Sequence, residues 1–209
     1  MLRHTARCAT NGTLHRVVLC GIIVSVLATL LVSCSSYTEL SRSIDQAESL
    51  AEENPNKALE IISNIDKSQL RSSEIKARYA LIYSEVSYYN RMLVNSDSLT
   101  RIAVAYYDKS NHHHERARAY FQHGMTLQLA GALPEAILAL REAHNSLEKY
   151  KDNRLEGVVY RLEGDIYRAS YLYRNSYNAY VEALQCFERE NLPYHTHYTL
   201  YNMGQAAMK

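Results

Sequence analysis

YRLEGDIYRA, residues 160–169, has the spacing of a helix but carries a glycine, Gly164, at its centre. A glycine inside a helix costs about 1 kcal/mol relative to alanine, so some other interaction has to offset it. Glycines recur in the same setting forty residues to either side, at Gly124 in AYFQHGMTLQ and at Gly204 in TLYNMGQAA. A large residue stands four positions before each of them: Tyr120, Tyr160 and Leu200. This regularity indicates an internal repeat.

A second helical pattern recurs in step with the glycines. It carries a small, a large and a small residue at spacings of four and three, which places the three on one helical face. The triplets are Ala58-Ile62-Ile65, Ser98-Ile102-Ala105, Ala136-Leu140-Ala143 and Ser176-Tyr180-Ala183. Successive triplets are 40, 38 and 40 residues apart, so we predict a repeat made of two helices.

Together these positions resemble the tetratricopeptide repeat, a two-helix unit. The fourth repeat matches the family pattern best and the third is close behind: Tyr160, Gly164, Tyr167, Ser176, Tyr180 and Ala183, then Tyr120, Gly124, Leu127, Ala136, Leu140 and Ala143. The second repeat is weaker, at Ala80, Ser84 and its triplet, and the first is recognisable mainly in its second helix. The repeat is near 40 residues instead of the family's 34, a length that also suits other two-helix solenoids.

The resemblance implies an all-α fold, an α-solenoid of antiparallel helix pairs over residues 37–209, with about four repeats and a truncated fifth. In such a repeat the small residue of the first helix faces the second helix at close range. We therefore expect Gly124, Gly164 and Gly204 to lie at helix contacts. A larger side chain there would hold the two helices apart.

The first 33 residues have the pattern of a secretory signal, with three arginines, no acid and an apolar run over residues 17–32. This run of 16 residues is short for a membrane-spanning helix, which needs about 20. Leu31-Val32-Ser33-Cys34 resembles a bacterial lipobox. The resemblance implies that residues 1–33 are a lipoprotein signal peptide and that residues 34–36 begin the mature chain, with a lipid on Cys34. The alternative is an uncleaved anchor with an incidental cysteine.

The lipobox resemblance also implies a location. Several acyl chains on one residue anchor a protein stably, whereas a single chain gives marginal binding. Ser35, and not an aspartate, follows Cys34. The resemblance therefore implies a bacterial cell-envelope lipoprotein at the periplasmic side of the outer membrane, in preference to the inner membrane.

Charge and cysteine content argue against two properties of the mature chain, namely nucleic-acid binding and an intramolecular disulfide. Without residues 1–33 the formal net charge changes from +1 to −2, so no basic excess argues for a nucleic-acid partner. Beyond Cys34, the sequence holds one further cysteine, Cys186, so no intramolecular disulfide is expected in the mature chain. Its stability is expected to come from packing.

Candidates for catalysis or metal binding are few. His112-His113-His114 lies in a predicted turn, and three adjacent residues cannot all face one ion in regular structure. Cys186 stands beside Phe187 in a second helix, which is typical of a buried apolar residue and not of a reactive thiolate. The glycines cannot build a phosphate-binding loop. We expect no enzymatic activity, no cofactor and no metal.

The family pattern assigns the first helix of each repeat to a concave binding face. Mapped onto this chain, it gives these candidates: Arg78, Tyr88, Arg118, Phe121, Met125, Gln128, Arg161, Asp165 and Arg168. Arginine and aromatic residues are frequent anchors in protein interfaces. The resemblance thus predicts a membrane-anchored scaffold that binds a protein or peptide partner. The alternative is the sensory N-terminal part of a longer membrane-spanning regulator, because similar repeats can precede a membrane helix and a DNA-binding module.

Overall fold

The computed structural model describes residues 37–92 and 96–207, and within these ranges every regular element is helical. The first helix, α1, covers residues 37–50. The later helices are α2 (Pro55–Ser63), α3 (Ser73–Tyr89), α4 (Ser98–Tyr107), α5 (His113–Leu129), α6 (Leu133–Leu147), α7 (Asn153–Ala169), α8 (Tyr173–Arg189) and α9 (Pro193–Ala207), with a 3₁₀ turn at Lys67–Gln69. The prediction of an all-α fold is confirmed.

The N-terminal predictions fall on residues that the structure does not describe. The signal peptide, residues 1–33, and the start of the mature chain, residues 34–36 with Cys34, both lie outside the described ranges. Among the helices that are described, none has the length and the apolar character needed to cross a membrane.

The chain divides into two compact units, Met1–Ser43 and Ile44–Lys209. Of the first unit the structure describes residues 37–43, which are helical. The second unit begins inside α1 and contains all the later helices, the core and the candidate site.

Local sequence fixes where several helices begin. Pro55 is the first residue of α2, and the Asn54 side chain accepts a hydrogen bond from the Lys57 amide at 3.2 Å. Proline fits there because the first N–H groups of a helix have no partner within it. The Asp152 carboxylate caps α7 in the same way, accepting from the Leu155 amide at 2.9 Å. These caps set the first turns of α2 and α7.

The close contact between α7 and α8 runs through two glycines. A Cβ added to Gly164 would lie 2.5 Å from a ring carbon of Tyr180, and one added to Gly157 would lie 2.5 Å from a ring carbon of Phe187. The lower-numbered glycine faces the higher-numbered aromatic, so the two helices run antiparallel. The predicted role of Gly164 is confirmed. Gly157 makes a second contact of the same kind, which sequence reasoning missed.

The other two predicted glycine contacts have different outcomes. Gly124 on α5 is confirmed, because a Cβ there would lie 2.8 Å from Leu140 Cδ2 on α6. The prediction for Gly204 on α9 is wrong, since nothing in the described part of the chain lies within 4 Å of its Cβ position. No described helix follows α9, so no described residue takes the place that Leu140 and Tyr180 hold in the earlier pairs.

The triplets predicted for the second helices are buried in α6 and α8. All six residues are fully buried: Ala136, Leu140, Ala143, Ser176, Tyr180 and Ala183. In α2, Ala58 and Ile62 are also fully buried, whereas Ile65 lies beyond the end of the helix. Small and large residues therefore alternate along the buried stripe of these helices, as the pattern predicts.

The triplet predicted for α4 is wrong. Ile102 is 43% exposed, whereas Thr100 and Ala103 are buried. Thr100 and Ala103 lie forty residues before their counterparts in α6, so the repeat keeps its forty-residue step in α4 as well. The threonine can be buried because its hydroxyl donates to the Asp97 carbonyl at 3.0 Å and lies 3.0 Å from Nδ1 of His123.

An apolar cluster joins α5, α6 and α7. Its buried members are Ala117, Phe121, Ala136, Leu140, Ala143, Leu147, Val159, Leu162 and Ile166. Each of these helices contributes one stripe, and the cluster continues from one helix pair into the next. This packing holds α5 and α7, which together with α3 carry the residues of the candidate site.

Candidate functional site

The nine residues of the predicted binding face lie on three helices. α3 carries Arg78 and Tyr88, α5 carries Arg118, Phe121, Met125 and Gln128, and α7 carries Arg161, Asp165 and Arg168. Two contacts join α3 to α5 directly. Arg118 pairs with Glu85, and the rings of Tyr88 and Phe121 meet edge to face with their centroids 6.2 Å apart. The predicted residues of α3 and α5 are thus neighbours.

Some of the predicted residues contribute to packing. Phe121 is 6% exposed, and Met125 packs against the apolar cluster of α5, α6 and α7. Gln128 is half-buried near the end of α5. Among these three, Gln128 has the most polar side chain and is only half-buried, so it is the best placed to meet a second molecule.

Arg118 is the most enclosed charge of the site. Its Nε and Nη2 donate to the Glu85 carboxylate at 2.8 and 2.5 Å, and its Nη1 lies 2.7 Å from Oε1 of Glu48. Burial alone would lower the pKa of the guanidinium, but Glu85 and Glu48 together raise it above its usual range. The two carboxylates therefore hold Arg118 in its charged form and in a fixed orientation.

Three arginines on α3, α5 and α7 contact one short stretch of the same chain. We call Arg78, Arg118 and Arg154 the arginine row, and residues 44–52 the N-terminal segment. Arg78 pairs with Asp45, Arg118 with Glu48 and Arg154 with Glu52. The Arg154–Glu52 pair joins residues 102 positions apart in sequence. One face of the N-terminal segment therefore matches the arginine row charge for charge.

The N-terminal segment also has an apolar face. Ile44 and Ala47 are fully buried and Ala51 is 5% exposed. These positions are three and four residues apart, so they form one helical stripe beside the carboxylates of Asp45 and Glu48. The segment is therefore the end of α1 (residues 44–50) with the first two residues of the turn after it, and it uses both its apolar and its acidic positions.

Arg154 was not among the predicted residues, although it belongs to the same stripe of α7. It lies four residues, one helical turn, before Val158, which stands forty residues after Arg118 just as Arg118 stands forty after Arg78. The start of α7 at Asn153 brings Arg154 into the helix. Extending the predicted stripe of α7 by one helical turn towards its N-terminus would have included Arg154. The acidic partners give no such signal, because they lie far from the arginines in sequence, up to 102 positions away.

The predicted residues on α7 face α8 and α9. The Tyr180 hydroxyl donates to Asp165 at 2.7 Å, and Arg168 Nη2 lies 3.6 Å from the same Asp165 oxygen. Burial is the main cause that raises the pKa of Tyr180 to about 12. Arg161 lies over the rings of Phe187 and Tyr198, with its Cζ 5.7 and 5.2 Å from their centroids. These residues hold three helices together and are distinct in their contacts from the arginine row.

His195 completes the contact between α7, α8 and α9. Its ring stacks on Phe187 with centroids 4.9 Å apart, and its Nδ1 lies 3.1 Å from Nη1 of Arg161. Burial and the nearby Arg161 lower the pKa of this histidine to about 4. The imidazole is therefore neutral at pH 7, and it serves packing instead of carrying charge.

A cavity of about 220 Å³ lies beside the central ion pair of the arginine row. Its walls come from α1, α3, α4 and α5: Glu48, Glu74, Arg78, Leu81, Ile82, Tyr106, Tyr107, His112, Glu115 and Arg118. Tyr107 is 3% exposed, and burial raises the pKa of its hydroxyl above the usual range. The cavity thus combines apolar and aromatic walls with charges of both signs.

The other residues considered for metal binding or catalysis are held in packing or capping contacts. His113 and His114 belong to the first turn of α5, and Nε2 of His114 lies 3.0 Å from Oδ2 of Asp152. Within residues 37–92 and 96–207, no three His, Cys, Asp or Glu side chains are grouped so that they could hold a metal ion. Cys186 is buried as predicted, and burial raises the pKa of its thiol to about 11.

No protein-family model, no curated protein and no solved structure matches the chain. The arginine row and the segment paired with it are the most distinctive feature of the chain's own contacts.

Proposed function

We propose that this chain is a membrane-anchored scaffold of the tetratricopeptide-repeat kind, a lipoprotein of the bacterial cell envelope that binds a protein segment across its first helices. The observation that supports the proposal is the arginine row. Side chains from α3, α5 and α7 converge on one nine-residue stretch, residues 44–52, by ionic and apolar contacts. A surface that holds one helical segment in this way has the charge and the contacts required to bind another.

The chemistry of the surface favours binding over catalysis. Arg118 is fixed by two carboxylates, and the aromatic pair Tyr88–Phe121 stands beside it. Rigid arginine and aromatic side chains are the residues that dominate binding energy in protein interfaces. The proposed partner is therefore a protein or peptide. The proposal includes no cofactor, no nucleic acid and no reaction.

The proposed location follows from Cys34. The protein would be held by its N-terminal lipid at the periplasmic side of the outer membrane. Cys34→Ser should release the protein from the membrane fraction or leave an uncleaved precursor, and membrane fractionation with mass spectrometry of the N-terminus measures both. An unmodified Cys34 in mature wild-type protein would contradict the lipid anchor.

The proposed binding function can be tested at Gln128. A photo-crosslinking amino acid at this position, on the predicted face at the end of α5, should yield a discrete protein adduct in cells. The matched control is Glu135, which is exposed on the neighbouring second helix α6. Equal adducts from both positions, or none from Gln128, would count against the first helices as the binding surface.

A further inference from the structure

The arginine row already has an occupant, and this occupant indicates which chemistry the row accepts. We propose that the arginine row is a docking surface for an acidic helical segment of a partner protein, which takes the place of residues 44–52. The proposal rests on the proposed function, because it names the chemistry of the partner. It predicts a partner helix with carboxylates at spacings of three and four and with small apolar residues between them.

The spacing of the partner's carboxylates follows from the N-terminal segment. Asp45, Glu48 and Glu52 stand three and four positions apart, and each contacts a different helix of the arginine row. Asp45 and Glu48 lie on one side of α1, and Glu52 follows in the turn after it. In a continuous partner helix, which repeats its face every 3.6 residues, the same spacing presents all three charges on one side. An acidic segment with other spacings would reach two arginines at most.

The two outer contacts of the N-terminal segment are weak. The side chains of Asp45 and Glu52 are 59% and 52% exposed, and ion pairs in water contribute little and are screened by salt. The apolar anchors are Ile44, which is fully buried, and two alanines, Ala47 and Ala51. The segment is therefore held by contacts that a competing helix of the same pattern can replace.

The central arginine does not need the N-terminal segment to stay satisfied. Arg118 keeps both hydrogen bonds to Glu85, a residue of α3, when Glu48 leaves. Removing the only partner of a buried charge is strongly unfavourable, but release of the segment leaves Arg118 paired with Glu85.

The fit of the N-terminal segment to its surface is also incomplete. Beside Glu48 lies the cavity of about 220 Å³, whose walls include Leu81, Ile82 and Tyr107. A partner helix with a larger apolar side chain next to its central carboxylate can contact these apolar walls. Such a partner gains apolar contact that residues 44–52 do not make.

Exchange can be measured with the full chain in detergent and a fluorescein-labelled peptide of residues 41–54. The test variant, Asp45→Asn with Glu48→Gln and Glu52→Gln, keeps the shape of the segment but removes its charges. We expect hydrogen exchange over residues 44–52 to become faster in this variant. The peptide should bind the variant at least tenfold more tightly than wild type, by fluorescence anisotropy, because the competing segment is weakened. High salt should reduce this binding.

Two controls separate docking from a general charge effect. Neutralising three exposed carboxylates elsewhere, Glu60→Gln with Glu135→Gln and Glu148→Gln, changes the net charge equally and should leave peptide affinity at the wild-type level. A labelled peptide with the three neutral substitutions should bind neither protein. The single change Glu52→Arg, at an exposed pair, provides a milder variant that should still raise peptide affinity about threefold.

The outcomes are decisive in both directions. Equal peptide affinity for wild type and the test variant, absence of binding to both, or unchanged exchange of residues 44–52 would each overturn the proposal and make the segment a fixed part of the fold. The peptide assay needs no membrane and no cellular partner. Peptide exchange without a crosslinked partner at Gln128 would therefore refute the proposed scaffold function alone, and the converse result would refute only the docking surface.

Discussion

Replacing Gly164 by alanine should destabilise the protein, although alanine is the better helix former. The added Cβ would lie 2.5 and 2.6 Å from two ring carbons of Tyr180. That ring cannot move aside easily, because it is fully buried and its hydroxyl donates to Asp165 at 2.7 Å. The helices α7 and α8 have to separate, or the Tyr180 hydrogen bond has to break.

The magnitude is a balance of two effects. Overpacking a tight contact costs about 1–3 kcal/mol. Removing a mid-helix glycine recovers about 0.5–1 kcal/mol. Because the ring of Tyr180 is buried and its hydroxyl is hydrogen-bonded, we expect an energetic cost in the upper part of the range for overpacking. The net loss for Gly164→Ala should therefore be about 1–2 kcal/mol, which lowers the melting temperature by about 2–8 °C in a domain of this size.

Chemical denaturation with circular dichroism gives the free energy of unfolding of each variant. Gly204→Ala is the matched control, because a Cβ there meets nothing within 4 Å among the described residues, and it should stabilise by about 0.5–1 kcal/mol. In a Tyr180→Leu background the Gly164→Ala change should lose most of its cost. A stabilising effect of Gly164→Ala in the wild-type background would refute the close contact between the two helices.

Two further expectations concern titratable groups. The pKa of His195 is lowered to about 4 in the folded protein, so between pH 6.5 and 4 the unfolded chain binds more protons than the folded one. The free energy of unfolding should therefore decrease as the pH falls through this range. Denaturation at each pH measures this decrease, which should be smaller in His195→Asn. The buried Cys186, with its pKa raised to about 11, should resist iodoacetamide at pH 8 until denaturant is added. Rapid labelling of native protein, detected by mass spectrometry, would contradict its burial.

The conformational cost of a glycine within a helix and the periodicity of the sequence were sufficient to predict much of the helix packing. A glycine in a helix is unfavourable by itself, so a repeated one indicates a contact, as Gly124 and Gly164 confirm. The same reasoning failed at α4, where hydrophobicity pointed to Ile102 and the structure buries Thr100. A hydroxyl that finds a partner can be buried, and this partner, the Asp97 carbonyl, is not visible in a hydrophobic pattern.

The candidate site was predictable only in part, for a related reason. Family positions on α3 and α5 found Arg78 and Arg118, because these lie forty residues apart in equivalent turns. The acidic partners Glu48 and Glu52 were not predicted. Their pairing depends on how three helices approach one segment, and contacts over such distances leave no periodic trace in the sequence.

The ion pair between Glu52 and Arg154 has a consequence for folding. Most contacts of this chain join neighbouring helices, and local contacts of that kind form quickly. This pair closes a loop of 102 residues, and the entropy of closing a loop rises with its length. As the polypeptide grows from its N-terminus, residues 44–52 are made long before Arg154. Glu52 therefore reaches its final contact only after α7 has been made, later than Asp45 and Glu48, whose partners lie on α3 and α5.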